Sequence, residues 1–298
     1  MEKIQFLSDI HLEEPKNKIY FEEHLFSVEA EYLIIAGDLC EWKNIEENEW
    51  FYEWCSKHYK QTFIIFGNHD YYDCPNVLLK QYSYRFDIKP NVCYINNKSV
   101  IINDTEIFFS SLWSKLDEKY FDILDNIREM YRTPYMEESF QHQYKQIDDS
   151  NENEIQSHIK YDLNQEEYKN ELKIIQNENN QKQMTFEQYN YCHEISTHWL
   201  QQAVSQSKAK FKIVATHYCP TQSLEKPQDE YYSVFRSNDE YLFNGVTLWI
   251  YGHTHRYLQP TFINETLIVS NQYGHENSSH VGFNESVTTH SFIDLLFK

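Results

Sequence analysis

Nine residues have the types and spacing of a metal centre: Asp9 and His11, Asp38, Asn68 with His69 and Asp70, His217, then His253 and His255. Carboxylates, imidazoles and one amide, with no thiolate among them, suit divalent manganese, iron, zinc or cobalt. A single ion leaves many of these groups idle, whereas an aspartate bridging two ions about 3.5–4 Å apart sets up in-line attack on phosphorus. The pattern therefore points to a dinuclear metal hydrolase. Taken alone, His217 or the Asp38 of a Gly-Asp turn is more often structural. Taken together they are not, because burying so many polar groups without ions to pair them is costly.

Each cluster sits where a short apolar run stops. Ile4-Gln5-Phe6-Leu7, Tyr32-Leu33-Ile34-Ile35-Ala36 and Leu248-Trp249-Ile250-Tyr251 are brief and rich in β-branched or aromatic residues, so they read as buried strands. Functional groups of α/β sheets gather at the carboxyl ends of strands. On a strand, alternate side chains share a face, so the one-residue gaps in Asp9-Ile10-His11 and His253-Thr254-His255 aim paired ligands together. The order of elements is strand 3–8, a helix by residue 29, strand 31–37, helix 44–59, strand 62–66 and a helix around 76–85. This alternation suggests βαβ units. Within helix 44–59, Ile45, Trp50 or Phe51, and Trp54 form the expected buried stripe. Strands near 92–95, 99–103 and 105–110 read as a β-meander. A long helix covers Phe186 to Ser205, followed by strand 211–215, a short helix 238–243, and strands 247–251, 266–270 and 290–296.

Residues 1–298 read as one domain, interrupted at 115–188 by a polar, Asn/Gln/Glu-rich insertion with helical segments at Asp122 to Met130 and Glu166 to Ile175. That insertion is either a solvated excursion or a substrate lid. The formal charge of −20, from 46 acidic and 26 basic residues, disfavours nucleic acid, whose phosphates require a positive surface. A strand begins almost at Met1, leaving no space for a cleavable signal, and no apolar run reaches the length of a membrane span. The expectation is a cytoplasmic protein. Six cysteines without a Cys-x-x-Cys pair argue against a thiolate zinc site and read as reduced, buried thiols.

Asp9-x-His11, Gly37-Asp38, Gly67-Asn68-His69-Asp70, Thr216-His217 and Gly252-His253-Thr254-His255 occur in the order seen in calcineurin-like metallophosphoesterases, and the chain resembles a bacterial single-domain member. The resemblance implies an α/β fold: a β-sandwich of mixed sheets flanked by helices. It also implies that Asp9, His11 and His255 hold one ion, that Asp38 bridges, and that Asn68, His217 and His253 complete the second site. A hydroxide shared by the two metals would attack phosphorus, and His69, not a ligand, would stabilise or protonate the leaving oxygen. Asp70 either orients His69 or a ligand, or caps the following turn.

For substrate contacts, Ser110-Ser111-Leu112-Trp113 resembles a segment of the same bacterial group. Trp113 is a base-stacking or a packing residue. Tyr218 and Arg256 stand beside ligands, with Tyr71, Tyr72, Tyr273 and His275 as further neighbours. Tyr218 replaces a histidine of many relatives. Asp70 replaces the glutamate of phosphoprotein phosphatases and double-strand-break nucleases, and His69 the arginine of lipid A precursor hydrolases. These departures demote all three substrate classes. The expected activity is two-metal hydrolysis of a small phosphomonoester or phosphodiester, with nucleotides and cyclic nucleotides among the candidates. A nuclease, or a binding scaffold with vestigial activity, is the alternative; oligomeric state is left open.

Overall fold

Apolar runs that stay hydrophobic on both faces make parallel strands covered on both sides. The computed structural model describes residues 1–74, 77–118, 132–135, 161–163, 182–225, 234–278, 280 and 282–297. The first half runs β1 (Ile4–Leu7), α1 (Pro15–Glu23), β2 (Tyr32–Ile35), α2 (Glu49–His58), β3 (Gln61–Ile65) and the one-turn α3 (Asn68–Tyr71). Four strands follow, β4 (Tyr84–Lys89), β5 (Val92–Asn96), β6 (Lys98–Ile102) and β7 (Thr105–Ser110). Then come β8 (Pro134–Tyr135), β9 (Tyr161–Leu163), β10 (Lys182–Gln183) and α4 (Phe186–Gln206). The last elements are β11 (Phe211–Thr216), β12 (Leu248–Tyr251), β13 (Thr261–Ile263), β14 (Thr266–Ser270) and α5 (Ile293–Leu296).

Two mixed sheets form, ordered β1-β2-β3-β5-β4-β9 and β13-β14-β12-β11-β7-β6, while β8 and β10 pair separately. In the first, β1, β2, β3 and β5 are parallel; in the second, β14, β12, β11 and β7 are. Alternate residues from both sheets, among them Phe6, Ile34, Ile65, Phe109, Ala215 and Ile250, share one buried cluster. That cluster is the inside of a β-sandwich. The opposite faces, including Leu33, Ile35, Ile64, Val214 and Trp249, pack with Phe21 of α1, Phe51 and Cys55 of α2, and Leu200 of α4. Both sheets thus end their parallel strands at one edge, which is where the ligand clusters fall.

Several sequence expectations need correction. The helix around 76–85 is a 3-10 turn at Leu79–Gln81 followed by β4. Tyr84 and Phe86 are buried while Asp87 is exposed, a period-two pattern that pairs antiparallel with β5. The meander is a crossing instead: β5 belongs to the first sheet and the β6–β7 hairpin to the second. Asn97 makes the crossing with φ +46, its amide gripping the Gln81 carbonyl at 2.5 Å and the Ser110 hydroxyl at 2.7 Å. The strand at 290–296 is a 3-10 turn leading into α5, because Phe292 and Leu296, four residues apart, face the sandwich core together. In α2 the buried stripe is Phe51, Tyr52 and Cys55; Trp50 and Trp54 are only partly covered. Of the 115–188 insertion, residues 115–118, 132–135, 161–163 and 182–188 are described, so both expected helices lie outside the described residues.

Candidate metal centre

The ligand pairs are not aimed by strand alternation. β1 ends at Leu7 and β12 at Tyr251, so Asp9, His11, His253 and His255 all lie beyond the strands. Each of them, and Asp38 as well, has positive φ, between 47° and 72°. Left-handed backbone costs a non-glycine residue roughly 1–2 kcal/mol, and five such residues on one rim are held there by what surrounds them. The rim closes tightly. A side-chain carbon on Gly67 would lie 2.6 Å from the Asp38 backbone nitrogen, and one on Gly252 2.8 Å from the Ala36 carbonyl oxygen.

Three groups of candidate ligands result among the described residues: two share Asp38, and the third is His11, His69 and His275. Asp9, His11, Asp38 and His255 each offer an atom to one point, and Asp38, His217 and His253 to a second, all within 4.8 Å in each group. Asn68 joins the second group, its Oδ1 lying 2.9 Å from His217 Nε2. Its amide nitrogen donates to the Tyr72 hydroxyl at 2.9 Å, which leaves the carbonyl facing the site. His217 Nδ1–H donates to the Ala36 carbonyl at 3.0 Å, so Nε2 is the nitrogen that faces inward. There it meets Asn68 Oδ1, Asp38 Oδ2 at 3.4 Å and His253 Nδ1 at 3.2 Å. His11 Nε2 similarly lies 3.1 Å from His255 Nε2 and 3.8 Å from Asp38 Oδ2. Electron-rich atoms this close ask for cations between them. The donor set therefore fits divalent metal at both points.

The electrostatics agree. Burial raises the Asp9 carboxyl, but the hydrogen bond and charge of His255 outweigh it and bring it to about 2. Burial likewise works against ionised Asp38, which His217 and His69 nevertheless hold well below the usual carboxylate range. Burial depresses the imidazole of His11, and Glu13 beside it more than compensates, lifting it to about 10. His217 rises to about 9, against burial, through Asp38. His253 is driven well down by burial and the charge of His217, and its Nε2 has no partner among the described residues. Buried carboxylates stay ionised here by borrowing positive charge from imidazoles, the charge a metal ion supplies directly.

His69 belongs to neither of the groups that contain Asp38; it stands in the third, with His11 and His275. Its backbone N–H donates to Asp38 Oδ1 at 2.8 Å, and its ring lies edge-on to His11 at 4.4 Å. Asp70 does not reach it. Asp70 Oδ2 accepts from the Gly67 and Asp38 backbone N–H groups at 2.7 and 2.8 Å, which caps α3 and pins the Asp38 turn. The group that grips His69 is Glu13, whose Oε1 lies 2.8 Å from His69 Nδ1 and 2.9 Å from His11 Nδ1. Sequence reading passed Glu13 over, although Asp9-x-His11-x-Glu13 continues the same alternation. Gln272 was also missed; its Oε1 accepts from the His255 N–H at 2.5 Å.

The candidate substrate contacts separate. Trp113 is fully buried, stacked on Tyr71 at 5.1 Å and Tyr218 at 5.7 Å, with its indole N–H donating to Gln81 at 2.7 Å. Tyr218 is buried between Trp113 and the His253 ring, 4.1 Å away. Arg256 is partly exposed, pairs with Glu225 at 2.8 Å, and with His255 and Gln272 borders a cavity of about 340 Å³. His275 stacks on His11 at 4.4 Å, its Nδ1 held by Glu14 at 2.6 Å. Cys40 and Cys219 are buried thiols, Cys40 lying against the Tyr52 hydroxyl and Cys219 donating to the Thr221 carbonyl.

A two-sheet sandwich whose parallel strands deliver carboxylates, imidazoles and an amide to a single edge defines a metal-dependent hydrolase. The chain matches the calcineurin-like phosphoesterase family over residues 2–257. It belongs to that family and is a metal-dependent phosphoesterase. Among solved structures it is similar to the phosphopantetheinyl hydrolase from Mycobacterium tuberculosis, with 12% identity and a TM-score of 0.55 over 93% of this chain and 90% of that one. At that identity the likeness is one of fold. No curated protein matches the sequence. The family match stops short of β13 and β14, so Gln272 and His275 reach the site from outside it.

Proposed function

We propose that this chain hydrolyses a small phosphate ester, monoester or diester, at a pair of divalent ions. The observation that carries the reading is that Asp38 is shared by two of the ligand groups. Asp9, His11, Asp38 and His255 would hold one ion, and Asp38, Asn68, His217 and His253 the other, with manganese, iron, zinc and cobalt all suited to these donors. Such ions polarise phosphoryl oxygens and lower the pKa of water. His69, outside the two groups that share Asp38, is assigned to the leaving-group oxygen, where a positioned imidazole delivers a proton. Its Nδ1 is engaged by Glu13, so Nε2 is the nitrogen left for that task.

Size and charge support a small substrate. A cavity of about 340 Å³ bordered by His255, Arg256, Tyr257 and Tyr273 is at the lower end of ligand pockets and matches one nucleoside-sized group. We place the alcohol part of the ester there, with Arg256 facing any further anionic group on it. The net charge of −20 disfavours nucleic-acid substrates. Six cysteines that are all free and buried support a reducing compartment such as the cytoplasm. Among the described residues no helix is long and apolar enough to cross a membrane.

The test compares His69→Asn with Asp38→Asn by metal analysis and by kinetics on p-nitrophenyl phosphate, bis-p-nitrophenyl phosphate and cyclic nucleotides with manganese. His69→Asn should keep two equivalents of metal and lose about 100-fold or more in kcat. Asp38→Asn should lose metal as well as turnover. Loss of both metals from His69→Asn refutes its assignment, and stoichiometric metal without turnover on any ester in the wild-type protein refutes the hydrolase reading.

A further inference from the structure

One carboxylate oxygen serves two imidazoles. Oε1 of Glu13 lies 2.9 Å from Nδ1 of His11 and 2.8 Å from Nδ1 of His69, although these rings follow different strands, β1 and β3, which flank β2. His11 belongs to the ligand group that also contains Asp9, Asp38 and His255; His69 belongs to none of the ligand groups that include Asp38. Glu13 is nearly buried, and its second oxygen has no partner among the described residues. Both rings are therefore oriented from the same atom. An imidazole whose Nδ1–H is fixed by a carboxylate has its plane and its Nε2 direction fixed as well. For His11 that direction is towards His255 and Asp38.

We propose that Glu13 is a positioning residue that couples metal binding to leaving-group chemistry: through one oxygen it sets His11 as a ligand and His69 as the group that faces the ester oxygen. The inference rests on the phosphoesterase reading above for the role of His69, and on geometry alone for the coupling. Asp70, the carboxylate nearest His69 in sequence, gives Oδ2 to two backbone amides, and no bond joins it to the His69 ring among the described residues. Glu14, the next residue, holds His275 and the Glu276 N–H, so the two neighbouring glutamates grip different histidines and do not substitute for each other. The coupling makes a prediction that neither a purely structural nor a purely metal-orienting role shares. Removing Glu13 must loosen one ion selectively and, separately, must cost more when the departing oxygen needs a proton.

The experiment uses the full chain as wild type, Glu13→Ala, Glu13→Gln, His69→Ala and the double variant Glu13→Ala/His69→Ala. In the zinc-loaded protein, the low-field imidazole N–H resonances of His11 and His69 should both be present in wild type and both be lost in Glu13→Ala. Manganese titration should show one of two sites weakened by about 10–100-fold in Glu13→Ala, with the other unchanged. Across aryl phosphates graded from p-nitrophenyl to unsubstituted phenyl, kcat for Glu13→Ala should fall most for phenyl, giving the leaving-group dependence of His69→Ala. At saturating manganese, the double variant should be no slower than His69→Ala. Glu13→Gln, which keeps an oxygen at the same reach, should fall between wild type and Glu13→Ala. Loss of only one resonance, equal weakening of both sites, an equal loss of rate on every aryl ester, or additive effects in the double variant would each overturn the coupling. A wild-type protein with both resonances and no turnover of any ester leaves the coupling of the two rings standing and sinks the phosphoesterase reading alone.

Discussion

Replacing Asp70 with alanine removes the acceptor of two buried backbone N–H groups, those of Gly67 and Asp38, at 2.7 and 2.8 Å from a single oxygen. Each buried donor left unpaired costs about 1–3 kcal/mol, so Asp70→Ala should destabilise the metal-free protein by about 2–6 kcal/mol. Asparagine is different. It keeps an oxygen where Oδ2 stands and puts an amide where Oδ1 now lies without a partner among the described residues. Burial, and then the charge of Asp38, pushes the Asp70 carboxyl well above its ordinary pKa, so the neutral amide resembles the form that the metal-free protein favours. Asp70→Asn should therefore cost about 1 kcal/mol or less. Urea unfolding of chelated protein at pH 7, followed by circular dichroism, measures both. With metal restored, Asp70→Asn should turn over nearly as fast as wild type, because Asp70 shapes the Asp38 turn and touches neither His69 nor the site face. Equal destabilisation by the two variants would refute the hydrogen-bond argument. A large fall in kcat for Asp70→Asn with both ions still bound would show that its charge takes part in the chemistry.

Chelated protein should lose stability as the solution is made alkaline. The folded state raises His11 from 6.5 to about 10 and His217 from 6.5 to about 9; their contribution is complete below pH 6.5 and disappears as pH climbs through 9 and 10. Metal-ligated imidazoles are neutral throughout, so urea midpoints of loaded protein should not share this decline, and a flat profile for the chelated form would contradict the shifts. Trp113→Ala should cost about 3–5 kcal/mol, since the ring is buried between Tyr71 and Tyr218, while KM of the folded fraction stays unchanged. A raised KM with little loss of stability would make Trp113 a substrate contact instead.

The strands that carry the site were legible in the chain because their apolar runs are covered on both faces and end sharply at Asp, His and Gly. The candidate ligands were legible for the same reason: carboxylates, imidazoles and an amide placed beyond such runs have few other uses. Less was visible where a segment's partner decides its form. β4 needed the free edge of β5, and the C-terminal segment turns helical because Phe292 and Leu296 then face the sandwich core.

What this sequence determined by itself is therefore local, namely which runs become buried strands and which side chains stand at their ends. Tertiary structure decided how those side chains aim. Left-handed backbone at Asp9, His11, Asp38, His253 and His255 is unfavourable in isolation and persists only because the packed rim leaves no alternative. The choice of Glu13 over Asp70 as the partner of His69 was likewise settled in three dimensions. Hydrogen bonding selects whichever acceptor lies within 3 Å, and proximity of that kind between residues 56 apart is created by the fold.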